Sequence, residues 1–229
     1  MKIIFFFLFF VTLSTSVHSF QNPKIKIGNF SINKYEVTIY EFQEYASQYN
    51  IKTLAEKTGG GYEWNGGWEK KIGWNYQSPY GIKAKSVLEP AVHINKFEAE
   101  NYCRTFDGRL PTFEEWTSAA YKQILPSSEF MINRTYKYPS GEKPKNMNSQ
   151  GLLNYNRHVE VTKLPEGING LVAMGGNVWE WISDSKKTDS LTAGASWWYG
   201  AEMTKKSGAQ YKPSDFYVIY VGFRCVFDN

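Results

Sequence analysis

The sequence predicts an α+β fold, rich in loops and poor in long regular elements. Three observations point there. Aromatic residues make up 17% of the chain and 19 glycines are spread along it, a mix that suits irregular backbone held by aromatic packing better than a helical bundle. Short amphipathic helical patterns, each opened by a capping signal, alternate with short stretches of strand-like alternation. Long segments between them, residues 58–90 and 126–168, carry no helical period.

The N-terminus reads as an export signal. Residues 3–13 are apolar, follow Lys2, and are too few to span a bilayer, while Val17, His18 and Ser19 offer a cleavage site. Residues 1–19 are therefore expected to be a signal peptide and residues 20–229 a single domain. No cysteine follows the apolar run, so no lipid anchor is expected, and the mature chain is predicted to be a periplasmic or secreted monomer without a membrane anchor. The net charge of +4 is modest and the basic residues are scattered, which gives no footprint for nucleic acid.

The elements follow in order. Residues 24–36 alternate apolar and polar around Gly28 and Asn29, predicting a hairpin. Thr38 with Glu41 three residues on opens a helix whose apolar face is Ile39, Phe42, Tyr45, Ala46 and Tyr49. Residues 58–90 form a Gly-, Trp- and Tyr-rich loop with a hairpin at Trp64 and Trp68. Residues 91–94 read as a short apolar strand. Asn95 with Glu98 opens the next helix, which is expected to end at a Gly108 cap and to bury Cys103 beside Phe97 and Phe106. Thr112 with Glu115 opens another. Residues 169–184 are densely apolar but broken by Gly175 and Gly176, and residues 216–228 read as a C-terminal strand.

The chain has two cysteines, Cys103 and Cys225. Export places them in an oxidising compartment, where one internal disulfide is expected; two buried free thiols are the alternative reading.

Four segments carry a specific resemblance: KYEVTIYEFQEYA, EPAVHINKFEAENYCRTFDGRLPTFEEW, NGLVAMGGNVWEWISD and VGFRCVF. In order and spacing the chain resembles the formylglycine-generating-enzyme (sulfatase-modifying-factor) family over about residues 26–228. The resemblance implies a C-type-lectin-like fold and a Cys103–Cys225 disulfide. The family's oxidases convert a substrate cysteine to formylglycine with a reactive cysteine pair that binds copper in aerobic members. Here those positions fall on Tyr199 and about Thr204, and the preceding family Arg and Gly are Ala193 and Ala195, while the active-site serine is kept as Ser196. Tyr and Thr supply no soft thiolate pair, so neither copper nor formylglycine generation is expected.

The resemblance also implies calcium. One family site would use the carbonyls of Gly176 and Val178 and the carboxylate of Glu180, with Ala173 in place of the usual Asn or Asp; a second would start at Asn148 and Ser149. His93 reads as a packed core histidine and His158 as a loop residue with no Cys/His/Asp cluster around it, so a three-histidine iron site is not available. Arg109, Glu114 and Glu115 read as a structural ion-pair and capping cluster. Two functions are compatible with a kept framework and a lost thiol pair. One is an accessory module that binds a peptide or another envelope protein in an aromatic groove formed by Trp74, Trp197, Trp198 and Tyr199, with Trp64 and Trp68 nearby. The other is a cysteine-independent oxidoreductase, like the exported relatives that mature siderophore chromophores, using Ser196, Tyr199 and Glu202 for acid–base chemistry.

Overall fold

The computed structural model of the chain describes residues 20–153 and 155–229, so the expected signal peptide lies outside the described residues. β1 (Lys24–Ile27) and β2 (Phe30–Asn33) form the expected hairpin, and β2 also pairs antiparallel with the last strand, β9 (Val226–Asp228). The start and end of the domain are thereby held in one three-stranded sheet.

Among the described residues four α-helices occur: α1 (Ile39–Gln48), α2 (Leu54–Lys57), α3 (Lys96–Thr105) and α4 (Phe113–Tyr121). Each begins at a reciprocal capping box, formed by Thr38 and Glu41, Thr53 and Glu56, Asn95 and Glu98, and Thr112 and Glu115. Each box satisfies backbone N–H groups that the first turn leaves without partners, which lets such short helices start sharply. The sequence reading missed α2, although the same Thr-x-x-Glu signature opens it.

The aromatic loop contains the predicted hairpin, with Trp64 of β3 (Gly60–Trp64) directly opposite Trp68 of β4 (Trp68–Ile72). A four-stranded sheet in the order β7-β6-β5-β8 carries the second half of the chain. Its members are β5 (Trp179–Lys186), β6 (Asp189–Ala193), β7 (Gln210–Pro213) and β8 (Val221–Gly222), the last parallel to β5.

Four local expectations are corrected. Residues 91–94 are buried but do not form a strand, because His93 sits in the left-handed region at φ 58°. The end of α3 uses Asp107, not Gly108, in that conformation (φ 58°); the Gly108 N–H closes the turn onto the Cys103 carbonyl at 2.8 Å. Phe97 and Phe106 are exposed, and α3 instead buries Ala99, Tyr102 and Cys103. The single C-terminal strand is two short ones, β8 and β9, because the intervening Phe223, Arg224 and Cys225 are all buried where regular alternation would turn one of them outward.

Two adjoining clusters make the core, one around Phe42, Trp179, Trp181 and Phe223, the other around Trp116, Met174, Ile182 and Leu191. Phe42 alone packs its ring against Tyr45, Tyr76, Tyr102 and Phe223, with centroids 4.8–6.3 Å apart. Cys103 on α3 and Cys225 are joined in a disulfide across 122 residues, with Cα atoms 5.5 Å apart. Cross-linking so long a loop restricts the unfolded chain, so replacing both cysteines by alanine is expected to lower the unfolding free energy by about 3–5 kcal/mol. Urea titration of the variant against the parent measures this; matching midpoints would show that the bond contributes nothing.

Candidate functional site

A buried polar network lies beneath the site. The Glu180 carboxylate on β5 is fully buried. Arg224 donates to it twice, from Nε to Oε2 and from Nη2 to Oε1, both at 2.7 Å. The indole of Trp116 on α4 donates to Oε2 at 2.8 Å. The other guanidinium protons reach the carbonyls of Asn33, Lys34 and Val172. Beside this pair, Glu36 accepts from Asn177 Nδ2 at 2.7 Å, and Asn177 Oδ1 accepts from Asn148 Nδ2 at 3.0 Å and from the Val159 N–H at 2.9 Å. Burial, reinforced by the neighbouring Glu180, pushes the Glu36 carboxyl well above the ordinary carboxylate range.

This geometry bears directly on the two calcium expectations. Both Glu180 oxygens are committed to Arg224 and Trp116, and a divalent cation there would stand against a buried guanidinium. The residues around Glu180 therefore do not fit calcium. Ala173 keeps the left-handed backbone, at φ 58°, that an Asn or Asp would hold more easily, but it offers no side-chain oxygen. The Asn148 and Ser149 position differs. Both are buried, and Asn148 Oδ1 and Ser149 Oγ have no hydrogen-bond partner. Such orphaned oxygens fit an oxygen-liganded cation or a water. Gly176 packs against the same segment so closely that a Cβ would lie 2.3 Å from the Asn148 carbonyl oxygen, so the structure brings the two calcium segments together. Among the described residues, no group of three or more His, Cys, Asp or Glu side chains is placed to hold a metal.

The loop that would carry the thiol pair follows β6. Ala195 takes a left-handed conformation (φ 62°) that favours the family's glycine, and Ser196 is fully buried, its hydroxyl facing the Trp198 N–H at 3.4 Å. Thr204 is also buried; its hydroxyl donates to the Ala201 carbonyl, and its own carbonyl accepts from Tyr121. Both cysteines are in the disulfide, and none is free. Tyr199 is half-buried edge-on to Trp179, centroids 5.2 Å apart, and burial raises its phenol. The Glu202 carboxylate is held below the ordinary range by hydrogen bonds from Lys205 and Tyr138.

The predicted groove is brought together only in part. Trp197 and Trp198 pack edge to face at 5.3 Å and, with Gln150 and Asn156, line a cavity of about 360 Å³. Trp198 is 49% exposed. A second aromatic row runs from Trp64 to Trp68, then to Tyr220 and Tyr199, at centroid spacings of 5.1–6.2 Å. Trp74 does not join either: it packs on Tyr80 and His93. Arg109 and Glu115 form the expected ion pair, extended to Asp228, but Glu114 stands apart from it. Sequence reasoning did not single out Glu36, Asn177 or Arg224, whose side-chain partners lie 18–191 residues away in sequence.

The histidines are core residues. His93 is fully buried, with Nε2 3.0 Å from the Pro79 carbonyl oxygen, and its ring lies against Gly61, where a Cβ would be 2.1 Å from Nδ1. His158 is buried too: its ring stacks on Tyr80 and lies 3.0 Å from Glu89, which also pairs with Arg157.

Two predictions follow from these burials. Burial pushes the His93 imidazole down to about 4 and lowers His158 in the same direction. The unfolded chain takes up protons near pH 6.5 that the fold resists, so this stability is present above pH 6.5 and lost as the pH falls toward 4. His93→Asn, which tolerates the left-handed backbone, is expected to remove up to about 3 kcal/mol of that loss; denaturant midpoints measured from pH 7 to 4 check it, and equal slopes in both proteins would contradict it. Glu180→Gln leaves the buried guanidinium without its anion and is expected to destabilise the fold by about 3–5 kcal/mol, measured by the same titration at pH 7.

A scan against family models matches residues 11–229 to the sulfatase-modifying factor enzyme 1-like domain. The chain is 28% identical over 210 residues to the inactive C-alpha-formylglycine-generating enzyme 2 of Mus musculus, covering 76% of this chain and 65% of that protein. It is 24% identical over 190 residues to the formylglycine-generating enzyme of Mus musculus, covering 70% of this chain and 50% of that protein. The fold is similar to that of PvdO from Pseudomonas aeruginosa, with a TM-score of 0.66 at 18% identity, over 87% of this chain and 80% of that one. The family match, the convergence of its motifs on Glu180 and the α+β loop-rich architecture agree: the chain belongs to the sulfatase-modifying factor enzyme 1-like family.

Proposed function

We propose that this chain is an exported binding module of its family, one that holds a peptide or a protein segment rather than oxidising a cysteine. One observation carries the reading. Both cysteines of the chain are in the disulfide, Tyr199 and, about five residues on, the buried Thr204 stand where the resemblance implies the thiol pair, and the adjoining cavity is walled by Trp197 and Trp198. Paired indoles with a nearby amide, Gln150, offer apolar area and orientation to an extended peptide without redox chemistry. The similar mouse protein is itself named as an inactive formylglycine-generating enzyme, which supports this reading. The acid–base alternative has less support, because Ser196 is sealed, Glu202 is engaged by Lys205 and Tyr138, and the Tyr199 phenol holds its proton more tightly than usual.

The test has two arms. Incubation with a Cys-x-Pro-x-Arg peptide under air, with and without copper, is expected to yield no aldehyde by mass spectrometry. Binding to an immobilised peptide library is expected to select sequences whose affinity falls about tenfold in Trp198→Ala, about 1.4 kcal/mol. Aldehyde formation would overturn the binding-module reading, and equal binding by both proteins would overturn the groove.

A further inference from the structure

A second cleft, of about 790 Å³, opens between the outer face of α4, residues 135–137 and the turn at residues 205–207. It shares no lining residue with the Trp197–Trp198 cavity. Its size falls in the range of small-molecule sites. Lys122, Lys137, Lys205 and Lys206 line it, against a single lining carboxylate, Glu114. Lys205 pairs outward with Glu202. Among the described residues Lys122, Lys137 and Lys206 make no ion pair.

The lysines stand on a fixed frame. The Lys122 and Thr135 backbones bridge antiparallel, and the Tyr136 N–H donates to the Tyr121 carbonyl at 2.8 Å. The Tyr121 hydroxyl is tied to the Thr204 carbonyl, which fixes the floor to the turn that bears Lys205 and Lys206. Lys206 lies 5.6 Å over the Phe113 ring. Three lysines without an ion pair, Lys122, Lys137 and Lys206, around one concave surface raise the local concentration of anions, and each ammonium offers up to three N–H donors to an oxyanion. The edges of Tyr121 and Tyr136 that line the cleft and the lysine stems add apolar area, which favours a ligand with an organic body over a bare ion.

We infer that this cleft is a binding site for a small organic polyanion, a sugar-sized molecule carrying two or more phosphate or sulfate ester groups. The site stands independently of the aromatic groove and of any peptide bound there. Titration calorimetry of the full chain at low salt tests it with three probes: fructose 1,6-bisphosphate, a disulfated disaccharide, and inorganic pyrophosphate. Saturable 1:1 binding of one of the two esters, tighter than pyrophosphate and weakening as salt is raised, is expected. The ester that binds more tightly identifies the source of the oxyanion.

The double variant Lys122→Glu/Lys206→Glu is expected to weaken binding at least tenfold, and Lys122→Gln/Lys206→Gln by a smaller factor. Lys85→Glu/Lys186→Glu, which changes the net charge equally on exposed residues elsewhere, is expected to leave it within twofold. Amide shifts at Ser118 and Ser207 on titration would place the ligand in the cleft. Equal loss in the cleft variants and in the distant pair would reduce the effect to overall charge and overturn the proposal, as would pyrophosphate binding as tightly as the esters or no saturable binding by any probe.

Discussion

The buried pair between Glu180 and Arg224 is the constraint on which the rest of the molecule depends. Three motif segments that are remote in sequence meet there: Trp116 from α4, Glu180 from β5 and Arg224 from the C-terminal segment. A guanidinium sealed from water is tolerated only if every N–H finds an acceptor, and here two carboxylate oxygens and three backbone carbonyls supply them. Those carbonyls belong to the end of β2 at Asn33 and to irregular backbone at Lys34 and Val172. The pair therefore does for the loops what a ladder does for a sheet, giving their polar groups a fixed partner in the interior. The disulfide between α3 and Cys225 fastens the neighbouring residue covalently, so the C-terminal segment is held by charge and by a bond at successive positions.

That arrangement also accounts for how the site departs from its family's oxidase. The framework motifs serve the buried network and are intact. Ala173, ahead of β5, and Ala195, in the loop after β6, both take left-handed conformations that Asn or Gly would adopt at less cost. What has changed is the chemistry carried there. A phenol and a buried hydroxyl stand where soft sulfur ligands would, and the carboxylate expected to hold calcium belongs to an arginine. The binding role proposed for the chain would use the Trp197–Trp198 cavity, which needs no sulfur chemistry.

Much of the local structure was legible in the sequence. The capping boxes at Thr38, Asn95 and Thr112, the hairpins at Gly28 and at Trp64 and Trp68, and the Arg109–Glu115 pair all rest on groups within a few residues of one another, and short-range geometry settles them. The errors share a cause. The extended reading of residues 91–94 failed because His93 turns its backbone to reach a buried slot against Gly61, and Phe97 was assigned to the core although the packing around α3 leaves it half exposed. Each depends on a neighbour far away in the chain.

The sequence by itself determined the family, the loop-rich α+β class, the loss of the thiol pair and the availability of one disulfide, because these depend on which residues are present and how they are spaced. Only the tertiary structure decided what the charged and aromatic residues do. Whether Glu180 faces a cation or Arg224, whether Trp74 joins the groove or packs on His93, and whether four scattered lysines converge on one cleft are questions of which distant segments come into contact. Burial then fixes the answer, because a charge taken out of water holds whichever partner the fold has placed within reach.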